Sequence, residues 1–326
     1  MPYWELVTRS FRIAWEHKYL WLIALFSGEG GGSSFNYSQR SSGTTQAPAQ
    51  LQQQASTWIS DHLGLLVFLG IVWLVLVIAF FILGAICEGA TIRASAEHDA
   101  ERRFGLRMAW RTGLQTMWVI VRFRLLLIVL YLPLIVLIAL WIVGLSVAIA
   151  NGNRNATPLL LITGLFLVFL GLVYAVYLFF IDRFGSRAIV LEQRMAWAAI
   201  QRAHRLLFKR FGRSLLVLLL AIAVAIVLAL ALACFSLIVV VPLLAAGGFA
   251  GATGSGAGAA VLVVAFAILL PIFLVVAGFL AAQGSTYWTL AFRRLDFDFA
   301  PAFAYPAYPG YPPATPAPPA PPAPAP

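Results

Sequence analysis

The residues best able to do chemistry stand in one short run, "EHDAE", where Glu97, Asp99 and Glu101 flank the imidazole of His98. Carboxylates beside an imidazole can hold a metal ion or move a proton. The same run also suits a solvated helix start, with acids offsetting the helix dipole ahead of Arg102 and Arg103. A second set, Glu16, His17 and Lys18, interrupts the approach to the apolar run "YLWLIALF". Ionisable residues at membrane depth are functional candidates, so this trio is a possible intramembrane polar cluster. His17, His62, His98 and His204 fall in separate segments, as do Cys87 and Cys234. There is no metal-ligand spacing, no H-E-x-x-H and no G-x-x-x-x-G-K-[ST]. "GATGSGAG" follows no strand, which argues against a phosphate cradle. The expectation is a non-enzyme with no catalytic residue, no metal and no cofactor.

The elements that must carry these residues follow from composition. The chain of 326 residues is 62% hydrophobic and 10% charged. No charge falls in residues 63–87, 125–150 or 159–181, nor between Ser214 and Phe292. A bilayer core of ~30 Å takes about 20 apolar residues per helix. Lipid offers backbone groups no partner, so each run must be helical. The predicted spans are 63–87, 125–150, 158–181, 215–244 and 259–283.

Residues 1–27 read as an amphipathic helix and a short first span. Trp4, Val7, Phe11, Ala14 and Trp15 line one face, with Glu5, Arg9, Arg12 and Glu16 opposite. Residues 28–62 are Gly, Ser and Gln rich and read as a flexible outer loop. That placement requires the N-terminal segment to cross as well. One helix over residues 2–26 would be ~37 Å long. The count is then about six spans. The alternative is five, with the N-terminal helix on the outer face.

Nearly the same four residues recur three times, as "RIAW" at 12–15 and "RMAW" at 107–110 and 194–197. Trp15 precedes the predicted span start at 63 by the same interval that separates Trp110 from 158. The pattern predicts three pseudo-repeats, each a basic interfacial helix followed by spans. Two such helices are expected over about 92–122 and 187–212. In the first, Leu106, Trp110, Leu114, Met117, Trp118 and Val121 oppose Arg107, Arg111 and Gln115. In the second, Ala196, Ala199, Ile200, Ala203, Leu206 and Leu207 oppose Arg194, Gln201, Arg202, Arg205 and Lys209. Such helices lie in the bilayer interface. Arg107, Arg111, Arg194, Arg202, Arg205 and Lys209 would meet anionic headgroups. Trp15, Trp110 and Trp197 would set helix depth, because an indole is apolar yet its N–H reaches water. Ala221, Ala225, Ala229 and Ala233 form a small-residue ladder that lets helices approach closely.

The net charge is +10, and all but two of the 22 Lys and Arg, Arg40 and Arg154, fall on one predicted side. Positive loops stay cytoplasmic. This orients a multi-pass membrane protein with both termini on the cytoplasmic side. It also leaves nucleic acid unneeded as an explanation of the charge. Residues 299–326 form a Pro/Ala-rich tail expected to be disordered, a possible docking segment for a protein partner.

Residues 186–220, "SRAIVLEQRMAWAAIQRAHRLLFKRFGRSLLVLLL", resemble the recurrent block of YciC-like bacterial inner-membrane proteins. They are also similar to the membrane domain found beside glycerophosphoryl diester phosphodiesterases. Glu192, Ala196, Arg202 and Ala203 hold comparable places, and "YWTLAFRRL" resembles the ending of the last span there. The resemblance implies a polytopic membrane protein and supplies no catalytic residues. The function expected is an all-α integral membrane bundle that organises membrane or serves as an accessory scaffold. The alternative is a transporter or channel for a lipid or small amphipathic solute.

Overall fold

A computed structural model describes residues 3–28, 58–60, 62–150, 156–252 and 257–295. The described residues are helical throughout their regular structure. The helices are α1 (Tyr3–Glu16), α2 (Tyr19–Phe26), α3 (Leu63–Asp99), α4 (Leu106–Ala150), α5 (Ala156–Glu192), α6 (Ala196–Lys209), α7 (Phe211–Ala252) and α8 (Ala257–Leu295). Five of them, α3, α4, α5, α7 and α8, are long and apolar enough to cross a membrane.

Among the described residues, the expected first span does not form one crossing helix. Residues 3–27 fold as two helices broken at His17, where the amide of Leu20 bonds the His17 carbonyl at 2.9 Å. The eight residues of α2 extend only about 12 Å, too short to cross. The break keeps Glu16, His17 and Lys18 out of an apolar helix interior. The alternative count of five agrees with the five long apolar helices. Arg9 on α1 meets Asp99 at 2.7 Å, and Gln283 of α8 donates to Ser10 at 3.2 Å. So α1 lies at the basic end of the long helices, not at the opposite end. Most of the expected outer loop, and all of the tail at 299–326, lie outside the described residues. Ser27 sits at the basic end, bonded through its carbonyl to Arg124 at 2.9 Å, whereas α3 starts about 31 Å further along, at Leu63.

The long helices overshoot the bilayer. They run from 37 to 45 residues, or about 55–67 Å, against an apolar core of ~30 Å. The excess lies mainly at the basic end of α3, α4, α5 and α8 and packs with α1, α2, α6 and the start of α7 into a common foot. The core is there: Leu20, Ile92, Phe123, Phe184, Ile189 and Leu290 are buried together. Phe180, Phe184, Trp288 and Phe292 lock α5 onto α8. Bare backbone permits the closest contact. A Cβ on Gly113 of α4 would collide with the Ile86 carbonyl of α3, and one on Gly89 with Thr116.

Beyond the foot the packing thins. In α4 and α5, Trp141 lies over Gly164 and bonds the Leu160 carbonyl at 3.0 Å. In α7 and α8, Phe235 meets Phe273. The most apolar stretch of α3 has no buried residue, and no other span exceeds 22%. The upper structure is thus three blades: α3, the α4–α5 hairpin and the α7–α8 hairpin. The alanine ladder of α7 faces outward at Ala225, Ala229 and Ala233. The half-covered face is Ala221, Val224, Leu228 and Leu232.

The interfacial helices differ from expectation. Residues 92–99 close α3, and 106–122 open α4, which runs on into its span without a break. A helix continuous with a span cannot lie flat in the interface. Its buried face is the small one, Ala109, Thr112 and Gly113, while Leu106, Trp110, Leu114 and Trp118 are exposed. The second expected helix exists as α6, and its buried residues are the six predicted. They pack on the protein, mainly on α5, so lipid does not receive them.

Two of the three tetrapeptides share a structural place. Each RMAW follows a long helix that ends in a non-glycine residue with positive φ, Glu101 at 58° and Gln193 at 54°. At the first, the amide of Arg102 bonds the Glu97 carbonyl at 3.0 Å, the wide bond of a Schellman turn. RIAW instead lies near the end of α1. The repeat is therefore not in register in its first copy.

Candidate functional site

The foot gathers the charges. The successive residues Glu97, His98 and Asp99 point apart, because neighbours on a helix diverge by about 100°. Glu97 is buried and pairs with Arg93 at 2.7 Å and Arg102 at 3.5 Å. Asp99 bridges Arg9 of α1 and Arg293 of α8. His98 turns to the N-terminal segment. Its ring stacks on His17 with centroids 3.5 Å apart, and its Nε2 shares a hydrogen bond with the Tyr19 hydroxyl at 2.6 Å. The three side chains do not converge in one pocket, as acid–base or metal chemistry would require. Among the described residues, no three His, Cys, Asp or Glu are placed to hold a metal ion.

The two sequence clusters do meet, through one residue of each. Two stacked imidazoles cannot both carry a proton without strong repulsion. Burial lowers the His17 pKa from its ordinary value, while Glu16 acts in the opposite sense. Burial also pushes the Tyr19 phenol up, so it stays protonated as a hydrogen-bonding partner.

Two arginines tie other elements together. Arg124 binds Glu88 at 2.6 Å and the Ser27 carbonyl at 2.9 Å, joining α4, α3 and the end of α2. Arg187, fully buried, donates to the carbonyls of Arg183 at 2.9 Å and Ser285 at 3.3 Å. Nothing in the sequence distinguishes Arg187 from the other arginines, because its partner across the helix pair is a main-chain carbonyl that any residue supplies.

A cleft of about 330 Å³ opens in the foot between α1, the start of α7 and the end of α8. Arg210, Arg213, Arg294 and Tyr3 supply its polar lining, and Leu6, Val217, Ala291 and Leu295 its apolar lining. The residues lining it include no acid. Glu5 reaches Arg294 from outside at 3.8 Å, a long pair with Glu5 half exposed. Sequence reading missed this site. Its three segments are separated by some 200 and 80 positions, and no local pattern announces it.

A family model described as a family of unknown function, DUF7544, matches residues 7–290. The chain belongs to the DUF7544 family. No curated protein and no solved structure matches it. The matched stretch holds every long helix down to the last turn of α8. Of the cleft, Arg210, Arg213 and Val217 fall within it, while Tyr3, Leu6, Ala291, Arg294 and Leu295 flank it.

In this DUF7544 chain the predicted surface residues divide. Arg107 and Arg111 are exposed on α4, and Arg205 and Lys209 on α6. Arg194 and Arg202 both turn onto Glu192, the latter at 3.2 Å. Trp15, Trp110 and Trp197 are all exposed; Trp15 also packs edge-on against Phe279. Of the expected polar cluster, Glu16 and Lys18 are exposed and His17 is half-buried at the α1–α2 break.

Proposed function

We propose that this chain is a non-enzymatic scaffold or accessory subunit of the bacterial cytoplasmic membrane, with its foot and both termini in the cytoplasm. One observation carries the reading: the packed core is confined to the foot, while the blades present apolar surface to their surroundings. Such a body offers lipid three separate blades and offers the aqueous side one firm, basic surface. The concentration of cations at the foot supports the orientation. Arg107, Arg111, Arg205 and Lys209 would meet anionic headgroups, with Trp15, Trp110 and Trp197 at the same depth. Arg194 and Arg202 would hold Glu192 instead. Kinship with YciC-like proteins is part of this proposal, as is a protein partner for the tail; nucleic acid is not. Transport of an amphipathic solute is the alternative. It needs a shared path between blades, and the exposed α3 blade speaks against one.

Two measurements test the reading. Native mass spectrometry of the full chain, extracted from vesicles of mixed phosphatidylcholine and phosphatidylglycerol, should show phosphatidylglycerol retained above its bulk share. The Arg107→Gln/Arg111→Gln protein should retain less. Retention that matches bulk composition defeats lipid engagement. Solute efflux from proteoliposomes above that of protein-free vesicles would favour the transporter.

A further inference from the structure

We infer that the arginine-lined cleft is a binding site for the headgroup of an anionic glycerophospholipid, whose acyl chain runs up α7. The inference rests on the membrane reading above and names the lipid class and the site. Three guanidinium groups around one cleft, with Tyr3 beside them, suit a phosphate oxygen cluster, since arginine forks match phosphate geometry. A second cation on the ligand would be repelled there, which disfavours a zwitterionic headgroup.

The apolar side of the cleft decides between a lipid and a soluble anion. Above Arg213, Leu216, Leu220 and Val227 follow at i+3, i+7 and i+14, one continuous face of α7. Leu216 and Val227 are 42% and 66% exposed. Leu216, next to the buried cleft residue Val217, starts this strip, which climbs into the α7 span past the half-buried Leu220. A headgroup held in the cleft can lay its acyl chain along this strip, a contact that a free phosphate or nucleotide cannot make.

The test uses the full chain in a zwitterionic detergent, titrated by calorimetry. The ligands are dioctanoyl phosphatidylglycerol, dioctanoyl phosphatidylcholine and inorganic phosphate. The glycerol lipid should bind about tenfold or more tighter than either comparator. Arg213→Gln and Arg294→Gln should each weaken it about tenfold, the scale of one charge-assisted hydrogen bond. Arg12→Gln removes a charge from the foot outside the cleft and should change affinity less than about twofold. Arg213→Lys should recover part of the loss and reports on the site if Arg213→Gln fails to fold. Equal weakening by Arg12→Gln would mean diffuse electrostatics and overturn the site. Phosphate binding as tightly as the lipid would assign the cleft to a soluble anion and overturn the lipid. If the cleft variants bind normally while Arg107→Gln/Arg111→Gln still loses phosphatidylglycerol, the cleft assignment alone falls. Absence of any lipid preference in the unmodified protein removes both.

Discussion

His17 shows how a single side chain can carry two opposed readings. In the sequence it belongs to a charged trio facing a membrane crossing. In the fold it ends α1 and covers the ring of His98. Because burial holds its folded pKa below the ordinary 6.5, the unfolded chain takes up protons first as pH falls. Stability is therefore full above about 6.5 and declines as pH drops through the folded value. The melting temperature in detergent should fall between neutral pH and pH 5, and fall less in His17→Phe. An identical pH profile for the two proteins would remove the stack from the account. The pairing itself was not legible in advance. Residues 17 and 98 meet because α1 folds back along the foot, and long-range contacts leave no local signature. Ser10 and Gln283 make the same point.

At the scale of elements, α4 and α6 show what hydrophobic periodicity can and cannot report. The buried face of α6 was legible residue by residue, because its alanines, Ile200, Leu206 and Leu207 sit at helical spacing opposite cations. The same logic misplaced the face of α4. There the stripe of Leu106, Trp110, Leu114 and Trp118 stays exposed, and the contact runs through Ala109, Thr112 and Gly113. Small residues pack backbone against backbone, which a scale of side-chain hydrophobicity ranks low. Gly113→Leu should accordingly cost about 1–3 kcal/mol through overpacking against Ile86. Gly144→Leu, where a Cβ meets nothing within 4 Å, should be neutral or slightly stabilising. Thermal unfolding of the two proteins measures the contrast; similar melting temperatures would mean that α3 and α4 need no close approach.

For the whole molecule, composition revealed the spans but hid the foot. The apolar windows at 63–87, 125–150 and 158–181 each fall within one long helix, α3, α4 and α5. That the same helices continue for about three to five turns past the first charge was hidden, because an amphipathic segment joined to a span reads as a separate surface helix. A crossing chain makes a plain prediction. In a protein lacking Cys87 and Cys234, single cysteines at Arg103 and Gln201 should react with an impermeant thiol reagent from the same side of a sealed vesicle. A cysteine at Trp58 should react only from the other. Labelling of all three from one side would mean that α3 does not cross.

The separation of foot from blades has a mechanical corollary. When a bilayer thins or thickens, helices respond by tilting. Here the core contacts reach only the basic ends of the tilting parts, so each blade can lean by itself above them, like a tent pole in a common socket. Membrane thickness would then alter the spread of the blades while the surface presented to water kept its shape.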